Sequence, residues 1–336
     1  MLGLQNIMYN LKEIKSIHLE VTSKCQAKCP MCPRRIAGGV LDPFITLDEI
    51  TLEQFKEWFP VEFVQQLNDL NMCGNLGDPI IAKDTLEIFQ YLRNTNPNIV
   101  LSMHTNGSAR TLAWWRELAG LRVRVTFGID GLADTHALYR IGTDFNQILK
   151  NAQEFIKAGG EAEWHMLLFK HNEHQVDQCR SISETYGFKR FSAKNTSRFR
   201  DGKFNVLDDE GRTTHILYPT TQSESMIIKV KQAQEETTPV IHCKAKANSQ
   251  IYVSATGIVS PCCWLDMEWM PPMSTSRIDY MDKIYEMPSL HNSSLLEIFE
   301  SGYFNKISGC WNSTGLRECS KQCGSFDKLK EQFFNV

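Results

Sequence analysis

The chain has 336 residues, with 36 basic and 39 acidic side chains and a formal net charge of −3. This length allows one large core or two smaller ones, and the near balance of charge gives no overall attraction for nucleic acid or an anionic membrane. The sequence has no apolar run long enough to span a bilayer and no signal peptide, so we expect a cytoplasmic protein whose eleven cysteines bind metal or clusters rather than form disulfides.

Short β-rich runs alternate with helical runs from about residue 16 to residue 199, which is typical of a parallel sheet wrapped by helices. A capping box at 51–54 opens the first long helix, and Gly159 and Gly160 end a later one. Cys179 falls on the apolar face of a helix, so we predict that it belongs to the core. The predicted strands are Ile17–Val21, Leu67–Met72, Ile99–His104, Val123–Phe127, Ala162–Phe169 and Arg190–Ala193.

Three cysteines, Cys25, Cys29 and Cys32, directly follow the first predicted strand with the spacing C-x3-C-x2-C. Three thiolates on one short loop can hold three irons of a 4Fe–4S cluster and leave the fourth iron without a protein ligand. The pair Cys29 and Cys32 would also suit half of a zinc site or a redox pair, so zinc is the alternative.

This spacing resembles the signature of the radical S-adenosylmethionine (radical SAM) enzymes. The resemblance implies that S-adenosylmethionine chelates the open iron, and that one electron cleaves its sulfonium to give a 5'-deoxyadenosyl radical that removes a hydrogen atom from substrate. It also implies a partial (β/α)6 TIM-like barrel over residues 1–199, with functional residues at the carboxyl ends of its strands. An electron donor such as flavodoxin or ferredoxin would serve the cluster. Met31 replaces the aromatic residue that usually precedes the last cysteine, and its thioether can pack over a cluster edge.

The resemblance further implies cofactor contacts after successive strands. The segment Gly74-Asn-Leu-Gly-Asp-Pro79 resembles the Gly-Gly-Glu-Pro segment that meets the amino group of the cofactor, with an aspartate in place of the glutamate. Arg140 resembles an arginine that reaches the cofactor carboxylate; the alternative is a solvated charge at a helix end. The implied cofactor-binding residues are Gly77, Asp78, Thr105, Asn106, Asp130, Arg140 and Asn172.

The alternating pattern stops after residue 200. We interpret residues 200–242 as a linker or an insertion over the barrel mouth, with a helix between Met226 and Gln234.

Residues 243–336 contain a second group of cysteines. The spacing C-x13-G-x4-C from Cys243 to Cys262 resembles the opening of the SPASM and twitch modules, which carry auxiliary iron–sulfur clusters. A hairpin of residues 249–253 and 258–261 would return Cys262 towards Cys243. The rest of the module's cysteine pattern falls on Cys310, Ser313, Cys319 and Cys323.

We therefore predict one auxiliary 4Fe–4S cluster, and four thiolates would equally suit zinc. Cys263 is a candidate hydrogen-atom donor to a substrate radical; alternatively, it is a small buried side chain under Trp264. The predicted cluster ligands are Cys243, Cys262, Cys319 and Cys323, with Cys310 in reserve.

These features predict a radical SAM oxidoreductase that matures a ribosomally made peptide by crosslinking, epimerisation or desaturation. The first alternative is a dehydrogenase or epimerase of a small molecule such as an aminoglycoside sugar. The second alternative is a two-cluster electron-transfer protein without catalytic activity.

Overall fold

The computed structural model describes residues 9–196, 198–199, 202–223, 240–268, 287–312 and 316–324. The strands are β1 (Ser16–Leu19), β2 (Asp69–Met72), β3 (Val100–Thr105), β4 (Val123–Gly128), β5 (Glu161–Leu168), β6 (Arg190–Asn195), β7 (Phe204–Leu207), β8 (Thr213–Leu217), β9 (Gln250–Val253) and β10 (Val259–Ser260). The α-helices are α1 (Leu52–Trp58), α2 (Val61–Gln66), α3 (Thr85–Thr95), α4 (Leu112–Gly120), α5 (His136–Tyr139), α6 (Phe145–Lys157), α7 (Val176–Thr185), α8 (Lys244–Ala247), α9 (Cys263–Glu268), α10 (Leu295–Glu300), α11 (Tyr303–Gly309) and α12 (Arg317–Cys323). Short 3-10 turns lie at Leu11–Glu13, Glu173–Gln175 and Cys310–Asn312.

Strands β1 to β6 lie side by side in chain order and pair in parallel, with helices in the connections between them. This is the predicted partial (β/α)6 TIM-like barrel, and all six predicted strands are confirmed. The second strand begins two residues later than predicted because Leu67 still caps α2, its N–H donating to the Val64 carbonyl. The capping box at Thr51 and Gln54 is also present.

Apolar residues on one face of the sheet pack against the helices and form the core. The Phe127 ring lies 5.3 Å from Trp115 and 6.3 Å from Phe155, which joins β4 to α4 and α6. Cys179 of α7 is fully buried in the same core, as predicted. Helix α6 ends at Lys157, and Gly159 follows it in a left-handed conformation that glycine adopts without strain.

The opposite face of the sheet is polar, because side chains alternate along each strand. Ser16 Oγ on β1 donates to Asp69 Oδ1 on β2 at 2.6 Å. The rings of His104 on β3 and His165 on β5 lie 5.7 Å apart. This face carries the polar groups that a ligand inside the barrel would meet.

The predicted C-terminal hairpin is present, but it is part of the barrel sheet. Strand β9 pairs in parallel with β1, and β10 pairs antiparallel with β9 around Gly257. The parallel pairing was not predicted, since β1 and β9 are more than 200 residues apart and no local pattern encodes their contact.

The region predicted as a linker or insertion contains a second hairpin, β7 and β8. Val206 and Leu217 from this hairpin pack in a small apolar cluster with Cys29 and Met31. The hairpin thus covers the cysteine loop. The predicted helix at Met226–Gln234 lies outside the described residues. Along the part of the chain that the structure describes, no helix is both long and apolar enough to cross a membrane.

Candidate active site

The loop with the first three cysteines begins where β1 ends. Cys25, Cys29 and Cys32 form no disulfide. The Arg34 side chain holds the loop, its Nη1 donating to the Cys25 carbonyl at 2.6 Å and its Nε to the Ser23 carbonyl at 3.2 Å. Hydrogen bonds from Arg34 therefore hold the loop that carries the three thiols.

Burial raises the pKa of each of these thiols. The pKa of Cys29 rises to about 11, although the positive charge of Arg140 opposes the shift. Desolvation likewise raises the pKa of Cys25 and of Cys32. Thiols in such surroundings become thiolates when a bound cation supplies compensating charge.

The glycine-containing loop after β2 lies directly against the segment before the cysteines. A side chain at Gly77 would collide with the carbonyl oxygen of Thr22. The buried carboxylate of Glu20 holds this loop, its Oε1 accepting from the N–H groups of Leu76 at 2.6 Å and Gly77 at 3.0 Å. The other oxygen of Glu20 accepts from the Tyr252 hydroxyl at 2.6 Å.

Asp78 joins the loops after β2 and β3. Its Oδ1 accepts from Thr105 Oγ1 at 2.7 Å, and its Oδ2 accepts from the backbone N–H of Asn106 at 2.7 Å and from Nδ2 at 2.6 Å. Asn106 Nδ2 is also 3.7 Å from Cys25 Sγ. Three of the predicted cofactor residues thus meet beside the first cysteine. The carboxylate of Asp78 already serves this network, so its pairing with a cofactor ammonium stays a prediction.

Asp130 and Arg140 form a second network beside Cys29. Arg140 Nε donates to Asp130 Oδ2 at 2.6 Å, and the Asp130 side chain is fully buried. Asp130 Oδ1 accepts from the Leu167 N–H at 2.6 Å. The Arg140 side chain is 19% exposed, so it is not the solvated helix-end charge that the sequence left as an alternative.

Asn172 is hydrogen-bonded to this second network. It is fully buried. Its Nδ2 donates to the carbonyls of Leu167 at 2.9 Å and Asp130 at 3.3 Å, and its Oδ1 accepts from the Phe169 N–H at 2.8 Å. Because its amide is used within the protein, the predicted contact of Asn172 with the cofactor stays a prediction.

The second group of cysteines surrounds a cavity of about 180 Å³. For scale, a cavity of about 150 Å³ can hold a molecule the size of benzene. The cavity's described lining does not include Cys310, whose Sγ donates to the Lys306 carbonyl at 3.3 Å. The predicted ligands that line the cavity are Cys243, Cys262, Cys319 and Cys323.

Cys319 and Cys323 are four residues apart on α12 and so lie on one face of that helix. Within the described ranges, no three Cys, His, Asp or Glu side chains converge on a point that could hold one metal ion. A 4Fe–4S cluster takes one cysteine sulfur at each iron, so its ligands do not need to meet at one point. The four cysteines on one cavity therefore fit a multi-iron cluster. Ser313 lies outside the described residues.

Cys263 lines the same cavity and connects the two sites. Its carbonyl accepts from Asn75 Nδ2 at 2.9 Å, and Asn75 belongs to the glycine-containing loop after β2. The same Nδ2 lies 3.2 Å from the Tyr252 hydroxyl. A role of Cys263 as a hydrogen-atom donor stays a prediction.

Comparison with known protein families identifies the barrel. Residues 19–180 match the model of the Radical SAM superfamily. Residues 19–180 therefore form a radical SAM domain. The match contains the cysteine loop and all the residues for which the sequence predicted cofactor contacts.

Relatives of known structure share the radical SAM fold at low sequence identity. SuiB of Streptococcus suis is 12% identical, with a TM-score of 0.57 over 89% of this chain and 70% of SuiB, in a structure with S-adenosylmethionine. A further SuiB structure contains the precursor peptide SuiA. The protein anSMEcpe with bound AdoMet is 15% identical, with a TM-score of 0.57 over 94% of this chain and 84% of anSMEcpe. It has also been solved with the Cp18Cys peptide.

One curated relative is the FeMo cofactor biosynthesis protein NifB of Methanocaldococcus infernus. It is 23% identical over 112 residues, which is 32% of this chain and 36% of NifB. The match therefore spans about a third of that relative.

Two residues beside the cysteine loop, Glu20 and Asn75, were not predicted from the sequence. Glu20 and Asn75 make no motif of their own, although a glutamate between Leu19 and Val21 in an apolar strand is a detectable signal. Asn75 lies inside the recognised Gly74–Pro79 segment, but its partner Cys263 is 188 residues away. Only the folded chain shows that the loop after β2 contacts the segment beside the C-terminal cysteines.

Proposed function

We propose that this radical SAM enzyme cleaves S-adenosylmethionine reductively and removes a hydrogen atom from a ribosomally synthesised peptide, leaving a crosslink, an epimer or a desaturated residue. The observation that carries this proposal is the loop of Cys25, Cys29 and Cys32 between the Asp78 and Asp130 networks. When bound, the 4Fe–4S cluster and S-adenosylmethionine supply a one-electron cleavage that yields a 5'-deoxyadenosyl radical.

The chain's own residues position these groups. Asp130 fixes the Arg140 guanidinium beside Cys29, where its positive charge can meet a carboxylate or stabilise a thiolate. Gly77 lets the backbone come close to the cysteine segment, and Asp78 holds Thr105 and Asn106 next to Cys25. The β7–β8 hairpin packs Val206 on the loop, which excludes water from that side.

We propose that Cys243, Cys262, Cys319 and Cys323 hold one auxiliary 4Fe–4S cluster. Its support is the cavity that these four cysteines share and the side-chain hydrogen bond with Cys323 that raises the pKa of Cys243. Such a cluster can accept the electron that a substrate radical gives up when it is oxidised. An external carrier such as flavodoxin or ferredoxin would supply electrons to the first cluster.

The peptide substrate is supported by two observations. SuiB and anSMEcpe share the fold over most of this chain, and both have been solved with peptides. The polar face of the sheet also offers side chains along several strands, including His104 and His165, to an extended ligand.

Deuterium transfer tests this proposal. The reconstituted enzyme is reduced anaerobically in the presence of S-adenosylmethionine and of the short peptide encoded nearest to its gene. In this peptide deuterium replaces every carbon-bound hydrogen. We expect deuterium in the released 5'-deoxyadenosine and a changed peptide mass. A variant with Cys25→Ala, Cys29→Ala and Cys32→Ala should give neither result. Formation of unlabelled 5'-deoxyadenosine with an unchanged peptide would show that the peptide is not the substrate. The same assay would then be repeated with an aminoglycoside precursor. Absence of 5'-deoxyadenosine under reducing conditions would reject radical SAM activity and leave the electron-transfer alternative.

A further inference from the structure

Six buried side-chain polar atoms have no hydrogen-bond partner among the described residues, and three of them belong to one region of the fold. These three are the hydroxyl groups of Tyr9 and Tyr303 and the indole Nε1 of Trp311. Buried donors almost always have an acceptor, so each of these groups needs an explanation. Their positions in the fold suggest a common explanation.

Tyr303 and Trp311 lie on one side of α11 and the 3-10 turn that continues it. Tyr303, Ile307 and Trp311 follow one another at four-residue spacing, which places them on the same helical face. Ile307 and Trp311 both line the cavity of the four cysteines. Tyr303 is one turn earlier on that face.

Tyr9 reaches the same region from the N-terminal segment. Its ring packs edge-on against Phe304 with centroids 5.1 Å apart, and Phe304 is the neighbour of Tyr303. Burial, and after it the negative charge of Cys243, Cys262 and Cys323, raises the pKa of the Tyr9 hydroxyl. That hydroxyl is thus within electrostatic reach of three of the four proposed ligands.

The Tyr303 hydroxyl is affected by the same group of cysteines. Burial, then the charges of Asp266 and Cys262, raises its pKa. Trp311 therefore lines the cavity, Tyr303 lies one turn away on the same helical face, and Tyr9 packs on Phe304 beside Tyr303. The cluster proposed for this cavity offers sulfur atoms as acceptors.

We propose that Tyr9, Tyr303 and Trp311 donate hydrogen bonds to the sulfur atoms of the auxiliary cluster and thereby raise its reduction potential. The inference rests on the auxiliary cluster in the proposed function. Hydrogen bonds to cluster sulfurs stabilise the more negative, reduced state, and they are one of the means by which proteins set cluster potentials. The three residues would contact the cluster directly, at its sulfur atoms.

The test uses the full chain with Cys25→Ala, Cys29→Ala and Cys32→Ala, so that only the auxiliary site is loaded with iron and sulfide. Tyr9→Phe, Tyr303→Phe and Trp311→Phe are added one at a time. The matched control is Tyr91→Phe, since Tyr91 lies on α3 beside Lys56 and outside the cavity lining. Each sample is titrated with reductant while the cluster signal is followed by EPR, and exchangeable protons coupled to the reduced cluster are observed by ENDOR in H2O and D2O.

We expect a lower midpoint potential and the loss of one exchangeable proton coupling in each of the three variants, with neither change in Tyr91→Phe. An intact cluster with unchanged potentials and couplings in all three variants would overturn this inference. The proposal of an auxiliary cluster would not be affected by that result. A parent protein that contains zinc or no iron would overturn both. If Tyr9→Phe does not fold, Tyr303→Phe and Trp311→Phe still decide the question.

Discussion

Arg140 forms an ion pair with the buried carboxylate of Asp130, with Nε and Oδ2 2.6 Å apart, and the same guanidinium acts on the thiol of Cys29. A side chain at Gly128 would meet the outer nitrogens of this guanidinium. The arginine is therefore enclosed by β4, the cysteine loop and its carboxylate partner. This enclosure fixes its direction before any cofactor binds.

Replacing Arg140 with Ala leaves the Asp130 charge buried without its partner. Breaking a buried ion pair in this way costs about 3–5 kcal/mol. We expect the free energy of unfolding of the metal-free Arg140→Ala chain to fall by about that amount, and S-adenosylmethionine binding to weaken. Urea denaturation and equilibrium binding measure the two effects.

The double variant Asp130→Asn, Arg140→Met separates stability from function. It removes both charges and keeps similar volumes, so we expect it to regain most of the stability while its cofactor binding stays weak. If Arg140→Ala unfolds at the same urea concentration as the wild type, the ion pair does not contribute as described.

Gly77 allows the loop after β2 to contact the segment before the cysteines. In Gly77→Ala the new methyl group would collide with backbone atoms of Thr22, which cannot move without displacing the cysteine loop. We expect this variant to lose most of the iron at the first site, measured after reconstitution. Gly120→Ala is the matched control because, beyond its own helix backbone and chain neighbours, no atom lies within 4 Å of its added carbon. Equal iron contents in the two variants would contradict the close approach.

His136 predicts a pH dependence of folding. Its Nδ1 accepts from the Asp130 N–H at 3.1 Å, so the neutral ring carries its proton on Nε2, which faces Thr143 Oγ1 at 2.9 Å. Burial lowers the pKa of His136 from its ordinary value of about 6.5 to about 4. Between these values the unfolded chain binds the extra proton, so stability is complete above pH 6.5 and decreases as the pH falls towards 4.

At about 1.4 kcal/mol per pKa unit, the loss from His136 approaches about 3 kcal/mol at pH 4. Unfolding of the metal-free chain measured from pH 7 to pH 4 should show this slope, and His136→Gln should reduce it. Nitrogen-15 spectra of the labelled histidines should show one ring that stays neutral with its proton on Nε2 at pH 5. Titration of that ring near pH 6.5 would be inconsistent with its buried hydrogen bonds.

Local patterns in the sequence were sufficient to predict the barrel and the position of the cysteine loop at the end of β1. Six strands, the capping box at Thr51 and the position of the cysteine loop after β1 are encoded within short windows, and the structure has all of them. The four C-terminal cysteines also meet on one cavity, as their spacing suggested.

Contacts between distant segments could not be predicted in this way. The pairing of β9 with β1 and the hydrogen bond from Asn75 to Cys263 depend on residues far apart in the chain. The sequence assigned Asp78 to the cofactor alone, whereas its carboxylate also binds Thr105 and Asn106. Tyr9 lies near the second cysteines only after the N-terminal segment packs on Phe304.

The most direct test of the three-cysteine site is the iron and acid-labile sulfide content of anaerobically reconstituted protein. Wild-type chain is compared with the Cys25→Ala, Cys29→Ala, Cys32→Ala variant. We predict about eight irons per wild-type chain and about four in the variant, with sulfide in equal amounts. The same iron content in both proteins, or bound zinc without sulfide, would contradict a cluster held by these three cysteines.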